Sequence, residues 1–206
     1  HRSLEGADLT HGNLLANLEQ LSTWLGDAVR PGREVVITAL PIYHIFALTV
    51  NLLSFLRIGA KNVLIANPRD LLGLVATLRR EGCTILTGVN TLFNGLLNTP
   101  GFETLDFSVM NLSMAGGAAV QPAVARRWQE VTGKVLVEGY GLSETSPILT
   151  VNRIDTAEFR SGIGLPLPST DISLRDEVGK EVAAGEAGEL CARGPQVMHG
   201  YWNKPE

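Results

Sequence analysis

A change of rhythm constrains this chain more than any single residue does. Through its first 150 residues, short apolar runs rich in β-branched residues alternate with longer stretches whose apolar residues recur every three or four positions. Residues 34–40 (with Val35-Val36-Ile37), 62–66, 83–87, 109–115 and 135–138 read as strands. Between them, Thr10 caps a helix with Leu14, Leu18, Leu21 and Leu25 inward, and residues 45–58, apolar nearly all round, read as a buried helix. Asp70 caps a helix facing inward through Leu71, Leu74, Val75 and Leu78. Leu92, Phe93, Leu96 and Leu97 line the next, and Pro122 opens one with Val120, Val124, Trp128 and Val131. Trp24 and Trp128 fall on apolar helix faces and are expected in the core. A chain that switches between these two periods predicts an α/β fold, a mainly parallel sheet flanked by helices on both faces.

After Pro147 the period changes. Residues 162–166 are rich in breakers, and residues 170–175 and 188–193 read as two strands of a small antiparallel β unit. The expected division is residues 1–151, an α/β part, and residues 152–206, a small β subdomain cut short at Glu206. The chain begins with His1 and no Met, so it reads as an excised piece.

With 206 residues, 45% of them hydrophobic and 18% charged, the chain is long enough for a sizeable core. A net charge of −4 without a basic run argues against nucleic-acid binding. Cys83 and Cys191 sit far apart in apolar runs, which reads as buried free thiols in a reducing, cytoplasmic setting. The longest apolar run, residues 45–56, is interrupted by Thr49, Asn51 and Ser54 and is too short to span a bilayer. Peripheral contact at an inner membrane face, and oligomerisation, stay open.

The chemistry is concentrated in residues 138–147, Glu138-Gly139-Tyr140-Gly141-Leu142-Ser143-Glu144-Thr145-Ser146-Pro147, directly after an expected strand. Glycine lets a backbone approach a ligand closely. Tyr140 offers a flat face for a base, Ser143 a donor for a phosphate oxygen, and Glu144 a carboxylate of the kind that holds Mg²⁺ beside phosphates. The same string also fits a turn followed by a helix cap. Ligands of open α/β sheets bind outside the carboxyl ends of the strands. His44, Gly116-Gly117 and residues 140–144 all follow expected strand ends, so one crevice can hold them.

The string resembles the Y-G-x-T-E signature of the adenylate-forming superfamily, with Ser143 where most members carry Thr. Four more stretches resemble that family in the same order. Residues 8–13 resemble the end of its phosphate loop, Leu40-Pro41-Ile42-Tyr43-His44 the segment bordering its acyl pocket, and residues 113–119 its glycine-rich adenine segment. Residues 188–195 with Gly200-Tyr201-Trp202 resemble the structural motif of its small β domain.

Within that superfamily the chain is most like a long-chain fatty-acid–CoA ligase. The resemblance implies an enzyme that joins a fatty acid to ATP as an acyl-adenylate and then to coenzyme A as a thioester, with Mg²⁺. It implies Tyr140 stacked on adenine, Ser143 on the α-phosphate, and Glu144 as the Mg²⁺ ligand. It also implies Gly116, Gly117, Ala118, Gly139 and Gly141 as backbone walls of the nucleotide site, and His44 at the acyl end. Ser143 and Glu144 carry the catalytic roles. Arg193 is expected to be structural, and Tyr201 and Trp202 to pack at a domain edge. The family's phosphate loop, ribose-binding Asp with its following Arg, and catalytic Lys lie outside these residues, so the piece alone is expected to be inactive. Leu48 falls where some relatives place an aromatic gate, which leaves the acyl chain length open. Two alternatives remain: a ligase of the same superfamily acting on an aryl or amino acid or a carrier protein, and a nucleotide-binding module without catalysis.

Overall fold

A computed structural model describes residues 5–204. The chain opens with helix α1 (His11–Leu25), capped by Thr10, whose hydroxyl accepts from the Asn13 N–H at 3.1 Å while Asn13 Oδ1 accepts from the Thr10 N–H. Strand β1 (Val35–Thr38) leads into a π-helix (Ala47–Ser54) that ends in a single α-turn, α2 (Phe55–Arg57). Then come β2 (Lys61–Leu64), α3 (Leu71–Glu81), β3 (Ile85–Gly88), α4 (Asn90–Leu97), β4 (Leu112–Ala115), α5 (Pro122–Thr132) and β5 (Leu136–Gly141). Strands β6 (Ile148–Val151), β7 (Leu165–Pro166), β8 (Asp171–Arg175) and β9 (Glu189–Arg193) complete the described chain.

Seven strands form one sheet in the order β2-β1-β3-β4-β5-β6-β7. The first five are mutually parallel, and β6 and β7 join antiparallel. Strands β8 and β9 form a separate antiparallel pair. This is the α/β architecture expected from the rhythm. The expected division at residue 151 falls between β6 and β7, which pair within the large sheet; the two-stranded sheet begins at Asp171.

Strand alternation explains why both faces need cover. Ile37, Leu86 and Leu136 point into a core with α3, α4 and α5, while their neighbours Val36, Ile85 and Val137 point into a second core with α1 and the π-helix. Trp128 anchors the first core. It is fully buried, lies edge-on to Phe93 with ring centroids 4.9 Å apart, and donates its indole N–H to Ser113 Oγ at 3.2 Å. Such a ring contact adds about 0.5–1.5 kcal/mol to the area buried. Trp24 is only half-buried, its N–H on the Asn152 carbonyl at 3.2 Å.

Residues 45–58 depart from the expectation of a helix buried all round. The segment winds as a π-helix with Val50 and Asn51 buried, while Leu52 and Leu53 are half-buried and Leu56 is exposed. The reason is polar. Asn51 sits against the sheet, donating to Thr38 Oγ1 at 3.1 Å and accepting from Thr87 Oγ1 at 2.8 Å, and Asn62 Nδ2 donates to the Asn51 carbonyl at 2.6 Å. That network sets the side the helix buries, and a purely apolar criterion does not see it. Cys83 is buried, and burial pushes its thiol up to about 12; Cys191 on β9 is half-buried rather than buried, and both are free.

Candidate active site

Strand β5 does not stop before the glycine-tyrosine string. It runs through Gly139-Tyr140-Gly141, paired with β6 as Gly139↔Val151, Tyr140↔Thr150 and Gly141↔Ile148, with a bulge between Tyr140 and Gly141. The expectation that Tyr140 follows the strand end is therefore corrected. The pairing that extends the strand comes from residues beyond the string, and no local signal in residues 138–141 announces it. A bulge re-aims side chains and is enriched beside active sites. At Gly141 only glycine fits: a Cβ there would lie 1.9 Å from the Pro147 carbonyl oxygen.

After the strand the chain turns through a short 3₁₀ segment (Ser143–Thr145), with Ser146 at φ 70°. The Leu142 N–H donates to Thr145 Oγ1 and to the Pro147 carbonyl, each at 3.0 Å. The turn is thus closed on itself. Ser143 is left exposed and Glu144 half-buried at the cavity rim. Glu144 Oε1 accepts from the Tyr201 hydroxyl at 2.7 Å. Tyr201, expected to pack at a domain edge, lies outside the cavity lining but touches it through this bond, a contact that the sequence reading did not foresee; Trp202 is 68% exposed.

The glycine pair follows β4. Gly116 is buried, its N–H on the Gly88 carbonyl at 3.1 Å, and a Cβ there would meet the Phe46 ring at 3.3 Å and the Gly139 carbonyl at 3.4 Å. Gly117 takes φ 77°, a conformation that glycine adopts freely. His44, exposed after β1, caps the start of the following helix: its Nδ1 accepts from the Phe46 N–H at 3.2 Å.

These elements enclose one cavity of about 300 Å³. Its lining includes His44, Gly116, Gly117, Gly139, Tyr140, Gly141, Ser143 and Glu144, so the structure brings together all but one of the residues singled out from sequence. The exception is Ala118, which is exposed and outside the lining. One end of the cavity is polar, with Ser143 and Glu144. Phe46, Met114, Ile148 and Val151 make an apolar wall that sequence reading did not single out.

Glu138, one residue before the cavity, is a second omission. Its carboxylate is buried and accepts the N–H groups of Val120, at 2.9 Å, and Gly162. Burial raises its pKa above the ordinary glutamate value, and the two donors offset only part of that. It ties the loop after Gly117 to β5. The signal was its place in the string; nothing in sequence named the partners.

No group of three or more metal-ligating side chains exists among the described residues. A lone carboxylate on the rim of a cavity is nevertheless the donor set that suits Mg²⁺ carried by a phosphate ligand, since that ion is held by one or two carboxylates plus substrate oxygens. No helix among the described residues is long and apolar enough to cross a membrane.

Known proteins place this geometry. Residues 6–202 match the model of a family described as AMP-binding enzyme. The chain is 55% identical, over 98% of its length, to a long-chain-fatty-acid–CoA ligase of Salmonella typhimurium, and spans 36% of that relative. Among solved structures it resembles ATP-bound MatB from Rhodopseudomonas palustris, with a TM-score of 0.83 and 31% identity over 98% of this chain and 39% of that one. It also resembles a benzoate CoA ligase from Burkholderia xenovorans LB400, with a TM-score of 0.85 and 28% identity over 97% of this chain and 40% of that one. A family match running almost from end to end of the chain, joined by a relative 55% identical over 98% of it, has one meaning: the chain belongs to the family of AMP-binding enzymes.

Proposed function

We propose that this chain is part of an AMP-forming fatty-acid–CoA ligase, and that the cavity under Tyr140 is where the acid is adenylated. The observation that carries the reading is the convergence in one cavity of an aromatic face, a hydroxyl, a carboxylate and two side-chain-free backbone stretches. The relative at 55% identity supports a fatty acid as the acid.

In this reading adenine stacks on Tyr140, between the backbone of Gly116 and Gly117 and that of Gly139. Ser143 Oγ donates to the α-phosphate. A carboxylate oxygen attacks the α-phosphorus, the bond to pyrophosphate breaks, and an acyl-adenylate results; the sulfur of coenzyme A then attacks the acyl carbon and AMP leaves. The chain's contribution is alignment of attacker and phosphate and stabilisation of charge where it develops. Glu144 is the residue that would hold Mg²⁺, which supplies Lewis-acid neutralisation of phosphate charge when bound. His44 borders the acyl end, and Phe46, Met114 and Val151 face the hydrocarbon. Every lining residue lies at or before Val151, which supports taking residues 1–151 as the binding part and residues 152–206 as its β companion. The free cysteines support a reducing, cytoplasmic setting.

The test is pyrophosphate release by the full-length protein with ATP, Mg²⁺ and coenzyme A across short, medium and long fatty acids and aryl acids. Turnover confined to aryl acids replaces the fatty acid by the aryl reading, which the benzoate CoA ligase resemblance favours. No release with any carboxylic acid overturns adenylation. Within the same assay Glu144→Gln is expected to lower kcat about 10²–10³-fold, with partial recovery at raised Mg²⁺. Wild-type turnover by that variant at every Mg²⁺ concentration sinks the metal assignment.

A further inference from the structure

The turn carrying Glu144 is clasped by a segment 57 residues further along the chain. Three hydrogen bonds join them. Ser146 Oγ donates to the Gln196 carbonyl at 2.8 Å, the Met198 N–H donates to the Glu144 carbonyl at 2.8 Å, and the Tyr201 hydroxyl donates to Glu144 Oε1 at 2.7 Å. The first holds the Ser146 side chain and the second the backbone of the turn at Glu144. The third reaches the carboxylate itself.

The clasping segment is firmly anchored. Asn13 Nδ2 donates to the carbonyls of Pro195 and Val197 at 2.8 and 2.9 Å, and fully buried Gln196 is bonded by Gln20 Nε2 at 3.0 Å and bonds Thr170 Oγ1 at 2.7 Å. Further on, backbone bonds tie His199, Gly200 and Trp202 to residues 6–8, and Ala7 bridges to Tyr201. The backbone that carries the phenol is therefore held in place.

A glutamate on a cavity rim has three rotatable bonds, and unassisted it spreads its carboxylate over several directions. A phenol donor to one oxygen is charge-assisted and directional, and it leaves the other lone pairs of the carboxylate available. We propose that Tyr201 is a positioning residue that aims Glu144 into the cavity, so that the carboxylate presents a fixed lone pair to a divalent cation arriving with the nucleotide. This rests on the reading of Glu144 as the metal-holding carboxylate. The motif around Tyr201 then serves the polar end of the site as well as the small β unit.

The test uses the full-length protein. Tyr201→Phe keeps the ring and removes the donor. Its half-saturating Mg²⁺ concentration in pyrophosphate release is expected to rise about tenfold, the scale of a lost hydrogen bond to a charged group. Mn²⁺ binding in the presence of ATP without any carboxylic acid, followed by electron paramagnetic resonance, is expected to weaken by a similar factor, with the urea midpoint nearly unmoved. Tyr201→Leu removes ring and hydroxyl together. If packing alone matters, Phe titrates like wild type and only Leu is impaired, which overturns the proposal. Glu144→Gln separates the two levels. Wild-type metal binding by Glu144→Gln overturns the metal reading and this proposal with it; weakened binding by Glu144→Gln beside a wild-type Tyr201→Phe overturns the role of Tyr201 alone.

Discussion

The face of the sheet under α3, α4 and α5 is closed by hydrocarbon and aromatic rings, whereas the face under α1 and the π-helix is laced with buried amides and hydroxyls. On the first, Trp128, Phe93, Phe102, Leu86 and Leu96 are all sealed from solvent. On the second, Leu21 and Phe55 share their layer with Asn17, Gln20, Thr49 and Asn51, all buried. Asn17 is the plainest case. Its amide bonds both ends of one peptide position, Nδ2 to the Ile148 carbonyl at 2.8 Å and Oδ1 from the Ile148 N–H at 3.0 Å. It thereby holds the strand that follows the Glu144 turn. Apolar packing is non-directional and tolerates small shifts, while a satisfied buried amide fixes one arrangement. The polar layer reaches the candidate site through Asn13, Asn17 and Gln20; the apolar layer supplies bulk stability.

That contrast can be broken from either side. Truncating the apolar anchor has the largest expected effect: Trp128→Ala is expected to cost about 3–5 kcal/mol in urea denaturation, as large-to-small substitutions of buried aromatics do. A loss under 1 kcal/mol would mean that the apolar face does not carry the stability assigned to it. Next comes Asn17→Ala, which leaves a buried N–H and a buried carbonyl at Ile148 unpaired, for an expected loss of about 2–3 kcal/mol. Unlike Trp128→Ala, it is also expected to raise the Mg²⁺ requirement of the full-length protein, because β6 abuts the Glu144 turn; an unchanged requirement would confine the polar layer to stability. The smallest effect sharpens the comparison. Thr49 Oγ1 is the only buried side-chain polar atom among the described residues without a hydrogen-bond partner. Thr49→Val removes that orphan at constant shape and is expected to be neutral or stabilising by up to about 1 kcal/mol. A clear destabilisation would show that the hydroxyl finds a partner in solution.

The same contrast explains what could be read from sequence. The apolar face was legible because its helices repeat every 3.6 residues: Leu74, Val75 and Leu78 on α3, and Val124 and Trp128 on α5, are buried as their spacing requires. Caps at Thr10 and Asp70 were legible because they are local. On α1 the leucine stripe was seen, but the adjoining Asn13, Asn17 and Gln20, also buried, look like a solvated flank until their distant partners are known. The π-helix failed for the same reason, since Asn51 chooses its buried side through Thr38 and Thr87. In the candidate site, the residues of the glycine-tyrosine string were found and the direction of the strand through them was not, because β6 sets it. Phe46 and Met114 lie far from the string, Tyr201 was marked only as part of a structural motif, and Val151 close by reads as an ordinary strand residue, so none of them announced a place at the site.

The reach of the α1 amides also orders events during synthesis. Asn17 on helix α1 waits for Ile148, 131 residues later, and Asn13 for Pro195 and Val197, 182 and 184 residues later. Contacts between residues this far apart in sequence form late, since loop closure precedes the energy they return. A nascent chain can therefore hold a finished apolar layer under α3, α4 and α5 while the Glu144 turn is still unclasped. The turn that carries Glu144 is completed only when residues 196–201 have been made, because its partners Gln196, Met198 and Tyr201 lie there.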